Sequence, residues 1–205
     1  MDRTRILVVE DKEKHQRAAQ ALLANHEVIV KPTFDEAIDV LKGKDGFMTG
    51  GDDVAAVPVD ALLTDLFYTQ GRGECQASRH LGREEFGFGF PLTLIAALQG
   101  VPKIGVVTDM NHHDHPMAYT FDHLKQDGPA RIRINDAEVM FFDERDLPSM
   151  YKTEDGRFLD YDALDKECPE GTYPFHLVDA GKAQVVKNWS AALDALLEVK
   201  ADENA

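Results

Sequence analysis

Val59-Asp60-Ala61-Leu62-Leu63-Thr64-Asp65 is a short apolar run that ends in a single acid, and a polar, glycine-rich loop follows it. A brief continuous apolar run of this kind fits a strand buried on both faces. In an open α/β sheet, ligands and chemistry collect beyond the carboxyl ends of the parallel strands. Asp65 stands at such an end. What else arrives there depends on the segments before and after.

Upstream, Ile6-Leu7-Val8-Val9 is another buried-strand run and stops at Glu10-Asp11. A helix pattern follows, with Ala18, Ala19, Leu22 and Leu23 on one face and His15 leading into it. Val28-Ile29-Val30 predicts a second strand, closed by Pro32. Thr33 with Glu36 three residues on is a capping box. Phe34, Ala37, Ile38 and Leu41 then recur at helical spacing. The first 42 residues therefore read β-α-β-α, the alternation of a parallel sheet covered by helices.

Downstream, residues 43–57 and 66–90 are polar loops, the second ending in Phe86-Gly87-Phe88-Gly89-Phe90. The Phe86/Phe88/Phe90 stripe fits core or pocket lining better than a cofactor box. A helix with Pro91 in its first turn runs to Gly100. Ile104-Gly105-Val106-Val107 is a fourth strand, ending in Thr108-Asp109. A polar stretch with His112, His113 and His115 comes next, and Met117 to Leu124 has a helical pattern. Arg131–Ile134 and Val139–Phe142 flank Asn135-Asp136, a hairpin signal. Residues 143–174 are charged and broken by Pro148, Gly156, Pro169 and Gly171, and are expected to be irregular. Ala183 to Val186 is expected to be the last, fifth strand of the sheet, ending at Lys187. Trp189, Leu193, Leu196 and Leu197 mark a closing helix, and a frayed tail is expected over 201–205.

The 205 residues suit a single domain with insertions at about 43–57, 66–90 and 131–182. Apolar residues make up 43% of the chain, enough for a sizeable core. A net charge of −15 argues against nucleic acid and anionic membrane as partners. No apolar run approaches a membrane span or a signal-peptide core, so a cytoplasmic location is expected. Cys75 and Cys168 lack metal-ligand spacing and fit free thiols.

Glu10, Asp11, Asp65, Thr108 and Lys187 all stand at carboxyl ends of expected strands. Carboxylates converging in a crevice repel unless a cation lies between them. All-oxygen ligation suits Mg²⁺, Mn²⁺ or Ca²⁺. Acids, a hydroxyl and an ammonium together fit phosphoryl chemistry on a carboxylate nucleophile. The competing reading is that strand ends are polar because the chain leaves for solvent there. His112, His113 and His115, with Asp109 and Asp114, are candidates for a transition metal such as Zn²⁺. The alternative for these residues is a polar loop in which one histidine orients another.

The order of these residues resembles the response-regulator receiver domain, in a divergent or pseudo-receiver form. Val8-Val9-Glu10-Asp11, Leu62-Leu63-Thr64-Asp65, Gly105-Val106-Val107-Thr108 and Gln184-Val185-Val186-Lys187 match its four motifs in register with the expected elements. The resemblance implies a doubly wound, mainly parallel five-stranded sheet of order 2-1-3-4-5. It implies a stand-alone signalling module with Asp65 as phosphoacceptor. Glu10, Asp11, Asp65 and the backbone carbonyl of Phe67 would hold Mg²⁺ or Mn²⁺, and Thr108 and Lys187 would bind phosphoryl oxygens. A histidine kinase or another signalling protein is the implied partner. The sequence departs from the family at Asn188, Gln184 and Asp109, where a proline, an aromatic and a small residue are usual. Asp65-Leu66-Phe67-Tyr68 with Val106-Val107-Thr108 more faintly resembles haloacid-dehalogenase-like hydrolases, with Phe67 in place of their second acid. That leaves a metal-dependent phosphohydrolase, or a metal- or small-molecule-binding protein, as alternatives.

Overall fold

The computed structural model describes residues 3–43, 55–68, 71, 86–109, 119–120, 123–125, 128–143, 145–169 and 171–198. The β-branched run near the N-terminus forms β1 (Arg5–Val9), and Ile6, Leu7, Val8 and Val9 are all fully buried. Side chains alternate along a strand. Leu7 and Val9 accordingly enter one core layer, and Ile6 and Val8 the other. Around β1 lie α1 (Glu13–Leu22), β2 (Glu27–Lys31) and α2 (Phe34–Lys42). Thr33 caps α2 by accepting from the Glu36 N–H at 3.3 Å. β3 (Ala61–Thr64), α3 (Gly89–Leu98) and β4 (Lys103–Val107) follow. Then come β5 (Ala130–Ile134), β6 (Ala137–Phe142), β7 (Met150–Thr153) and β8 (Phe158–Asp160). The chain continues through α4 (Tyr161–Glu167), α5 (Pro174–Asp179), β9 (Ala183–Val186) and α6 (Trp189–Leu197).

The larger sheet has six strands in the order β2-β1-β3-β4-β6-β5. All its pairings are parallel except β5 with β6. Helices cover both faces, as a parallel sheet requires. Ala37, Val40 and Leu41 of α2 and Leu92, Ala96 and Ala97 of α3 pack on one face. Ala18, Ala19, Trp189, Ala192, Leu193 and Leu196, from α1 and α6, pack on the other. Each fully buried aliphatic or aromatic side chain stabilises this sandwich by about 1.5–3 kcal/mol. Phe88 and Phe90 of the aromatic stripe pack against the first layer, Phe88 with its ring 5.2 Å from Phe34. The 66–90 loop is pinned at its base, where Tyr68 and Phe86 exchange backbone hydrogen bonds of 3.2 and 3.3 Å.

One expectation is corrected here. Residues 183–186 are not the fifth strand of the main sheet. The position beside β4 belongs to β6. A strand there must offer apolar side chains to both layers. β6 does so, with Val139 and Phe141 facing one and Met140 and Phe142 the other. β9 cannot, because Gln184 and Val185 are exposed. It pairs antiparallel with β7 in a separate sheet of order β8-β7-β9. The sheet is therefore six-stranded rather than five-stranded, and mixed at its edge. The hairpin signal holds: Asn135, at φ 53°, makes the tight turn between β5 and β6.

Residues 143–174 are also more regular than expected. They contain β7, β8 and α4. Asp160 caps α4 by accepting from the Ala163 N–H at 2.7 Å. Tyr151, Leu164 and Ala183 form a small core of their own. Much of the 43–57 and 66–90 loops, the 117–124 segment and the 201–205 tail lie outside the described residues. No helix among the described residues is long and apolar enough to cross a membrane.

Candidate functional site

Parallel pairing in register aligns the carboxyl ends of the central strands. Val9 is opposite Thr64, and Thr64 is opposite Val106. Glu10 and Asp65 come next, and Thr108 follows the last residue of β4, so all three leave the sheet on the same edge. Asp65 is tied to that edge by its N–H, which donates to the Val9 carbonyl at 2.9 Å. Its own Oδ1 accepts from the Leu66 N–H at 2.6 Å. Gly89 supports the turn from below. A Cβ there would lie 2.2 Å from the Asp65 carbonyl oxygen, so only glycine lets α3 begin so close.

Lys187 reaches the same place from the other sheet. Its Nζ lies 2.6 Å from Asp65 Oδ2 and donates to Glu10 Oε2 at 2.7 Å. Val186 packs into the second core layer and α6 starts three residues later, at Trp189, so the chain is forced across the strand ends at this point. Asn188, where receivers usually carry proline, has a visible task. Its Oδ1 accepts from the Ala191 N–H, capping α6, and its Nδ2 donates to the Pro148 carbonyl at 3.1 Å. The Lys187 ammonium also lies 5.5 Å from the centre of the Trp189 ring.

Glu10, Asp65 and Lys187 are almost entirely removed from water, at 0%, 1% and 5% exposure. Charges so deeply buried persist only when paired. Burial is the largest influence on Glu10. With Asp65 adding to it and Lys187 opposing, the carboxyl is pushed up to about 7. Burial, with help from Asp65, also raises Asp11. Burial alone would lower Lys187, but Asp65, Glu10 and Asp109 together hold it above the ordinary lysine range.

One oxygen from each of Glu10, Asp11 and Asp65 lies within 4.8 Å of the others. Such a group could hold a metal ion. Two of its atoms lack full satisfaction. Asp11 Oδ1 is buried with no hydrogen-bond partner, and Asp65 Oδ2 has the Lys187 ion pair but no hydrogen bond of good geometry. Buried carboxylate oxygens with acceptor capacity to spare, gathered this closely, suit a hard cation. Phe67 follows Asp65 by two residues, with its side chain buried in the core.

Thr108 is 8% exposed, and its N–H donates to Phe142 at 3.0 Å. A pocket of about 100 Å³ opens against Thr108, Asp109 and Lys187, with Leu147, Pro148 and Val186 on its apolar side. Gln184, at the expected aromatic position, is exposed on β9. His112, His113 and His115 lie outside the described residues.

His15 is the site residue that sequence reasoning passed over. It is 1% exposed and sits under the lysine. The Lys187 N–H donates to its Nδ1 at 3.0 Å. That nitrogen must therefore be an acceptor, and the proton of the neutral ring sits on Nε2. Nε2–H points to Asp109 Oδ2 at 3.2 Å. Burial lowers the His15 pKa, in keeping with a neutral ring. Asp109 completes the cluster, with Oδ1 at 3.5 Å from Lys12 Nζ and 3.9 Å from Lys187 Nζ. Burial opposes its ionisation, but the His15 hydrogen bond and the two lysines hold it well below the usual carboxylate range. The clue was present in the spacing: His15 lies three and four residues before Ala18 and Ala19, on the apolar face of α1.

Comparison of the chain with protein-family models, with curated proteins and with solved structures finds no match. The order of the first four parallel strands and the acidic cluster are compatible with a receiver-like α/β fold.

Proposed function

We propose that the chain is a receiver-like signalling module in which Asp65 accepts a phosphoryl group. The observation that carries this reading is the Asp65 carboxylate itself. It is buried at the end of a central strand, 2.6 Å from a lysine ammonium and within 4.8 Å of two further acids. In the proposed reaction an Asp65 oxygen attacks the phosphorus of a small phosphodonor, and the bond from phosphorus to the donor's leaving oxygen breaks. Lys187 orients Asp65 in the resting site and stands where it can neutralise charge on the transferred group. Glu10 keeps Lys187 in place through its own ion pair. Glu10, Asp11 and Asp65 would hold Mg²⁺ or Mn²⁺, which supplies charge neutralisation to the phosphoryl oxygens. The Thr108 hydroxyl is a further candidate donor to those oxygens.

The test incubates the protein with Mg²⁺ and a small acyl phosphate and compares wild type with Asp65→Ala. A stable phosphorylated form in wild type only is the expected result. Continuous, Asp65-dependent release of phosphate would instead favour a metal-dependent phosphohydrolase. No modification and no release would remove both.

A further inference from the structure

Asp109 presents a carboxylate to the same cations that an incoming oxyanion would need. It is held from three sides: His15 Nε2 at 3.2 Å, Lys12 Nζ at 3.5 Å and Lys187 Nζ at 3.9 Å. It is 37% exposed, so it forms the solvent side of a site whose other carboxylates are more deeply buried. Resting on the reading above, we propose that Asp109 is a tethered anion that occupies the cationic side of the site, with His15 as its positioning residue, and that an external oxyanion binds only by displacing it.

The geometry gives reasons for this. The His15 ring cannot rotate freely, because its Nδ1 is engaged by the Lys187 N–H and its backbone carbonyl accepts from Trp189 Nε1 at 2.9 Å. Its Nε2–H is therefore a fixed donor aimed at Asp109. Lys187 is already shared between Asp65 and Glu10, and a third acid close by uses up what charge remains. Like charges in one small space oppose an added anion. The pocket against Thr108, Asp109 and Lys187 gives the carboxylate an adjoining space when it leaves. The pair Asp109–His15 thus sets how readily the site accepts an anion, separately from how it holds a cation.

The test uses two anions on the intact chain, inorganic sulfate and beryllofluoride with Mg²⁺. Both are followed by the fluorescence of Trp189, the chain's single tryptophan, which lies beside Lys187. Asp109→Asn removes the charge while leaving an oxygen for His15. It should tighten the binding of both anions by about tenfold or more. His15→Leu should tighten sulfate binding in the same direction, whereas His15→Gln, which retains a side-chain N–H, should restore wild-type behaviour. A merely structural role for His15 would not be rescued in this way. Should Asp109→Asn lower the melting temperature, Asp109→Ser serves as the second variant. If sulfate binding tightens but beryllofluoride binds to no variant, the tethered anion stands and the phosphoacceptor reading falls. If folded Asp109 variants bind sulfate no better than wild type, the proposal is overturned.

Discussion

Replacing Lys187 with methionine removes the only described cation that touches both Asp65 and Glu10. The two acids are 1% and 0% exposed, so water cannot take over the role. Removing one partner of a buried ion pair typically costs about 3–5 kcal/mol, because the remaining charge is left uncompensated. Two carboxylates are left here, which places Lys187→Met toward the upper end. For a chain of this size the loss corresponds to a fall of about 6–20 °C in melting temperature. The pH dependence follows from Glu10. Its carboxyl titrates at about 7 in the fold against an ordinary value of 4.5. A raised acid favours the fold below its unfolded value, and that contribution is lost as pH rises through the folded value. Without the ammonium the folded value rises further. The variant should therefore lose more stability than wild type between about pH 5 and about pH 8. Mg²⁺ should recover part of the loss, since a bound cation adds stability by mass action, about 2.7 kcal/mol at a hundredfold excess over its dissociation constant. Urea denaturation at the two pH values, with and without Mg²⁺, measures all three effects. A variant within about 1 kcal/mol of wild type at the higher pH, the range of a surface pair, would refute the reasoning.

Gly89→Ala places a methyl group against the Asp65–Leu66 backbone. It should cost about 1–3 kcal/mol by overpacking, and should weaken Mg²⁺ binding by moving the Asp65 turn. Denaturation and calorimetric titration check the two effects. Metal binding should release protons and tighten as pH rises through about 7, because Glu10 must ionise to serve as a ligand. Calorimetry in buffers of different ionisation enthalpy reads the proton release directly, and a flat profile would count against Glu10. Asn188→Ala removes the cap of α6 and the bond to Pro148, and should lower stability by about 1–2 kcal/mol in thermal melts.

The β-α-β-α start of the fold was legible because its signals are local. Ile6–Val9 is apolar without interruption, and Thr33 with Glu36 announces α2. The Asn135 turn was legible for the same reason. The sheet assignment of 183–186 was not. Three of its four residues are apolar or small, but its burial depends on what lies beside it, and β6 is the better competitor for the interior position. The small sheet hid behind charge, since its elements are three to four residues long and its core holds only a few side chains. Asp155-Gly156, between β7 and β8, was the turn signal that went unused. That Glu10, Asp65 and Lys187 come together was legible from their positions along the chain. The lysine arrives through a different sheet from the one expected, because the chain must cross the strand ends to begin α6. His15 went unnoticed because a histidine on an apolar helix face reads as core until its two nitrogens are given partners.

The most direct measurement of the central claim is the location of a phosphoryl group. Wild-type protein, treated with Mg²⁺ and a small acyl phosphate, is digested and the modified peptide identified by mass spectrometry. The account predicts modification on Asp65, lost when Mg²⁺ is removed and absent from Asp65→Ala. Modification on another residue, or modification of Asp65 that persists without a divalent cation, would contradict it.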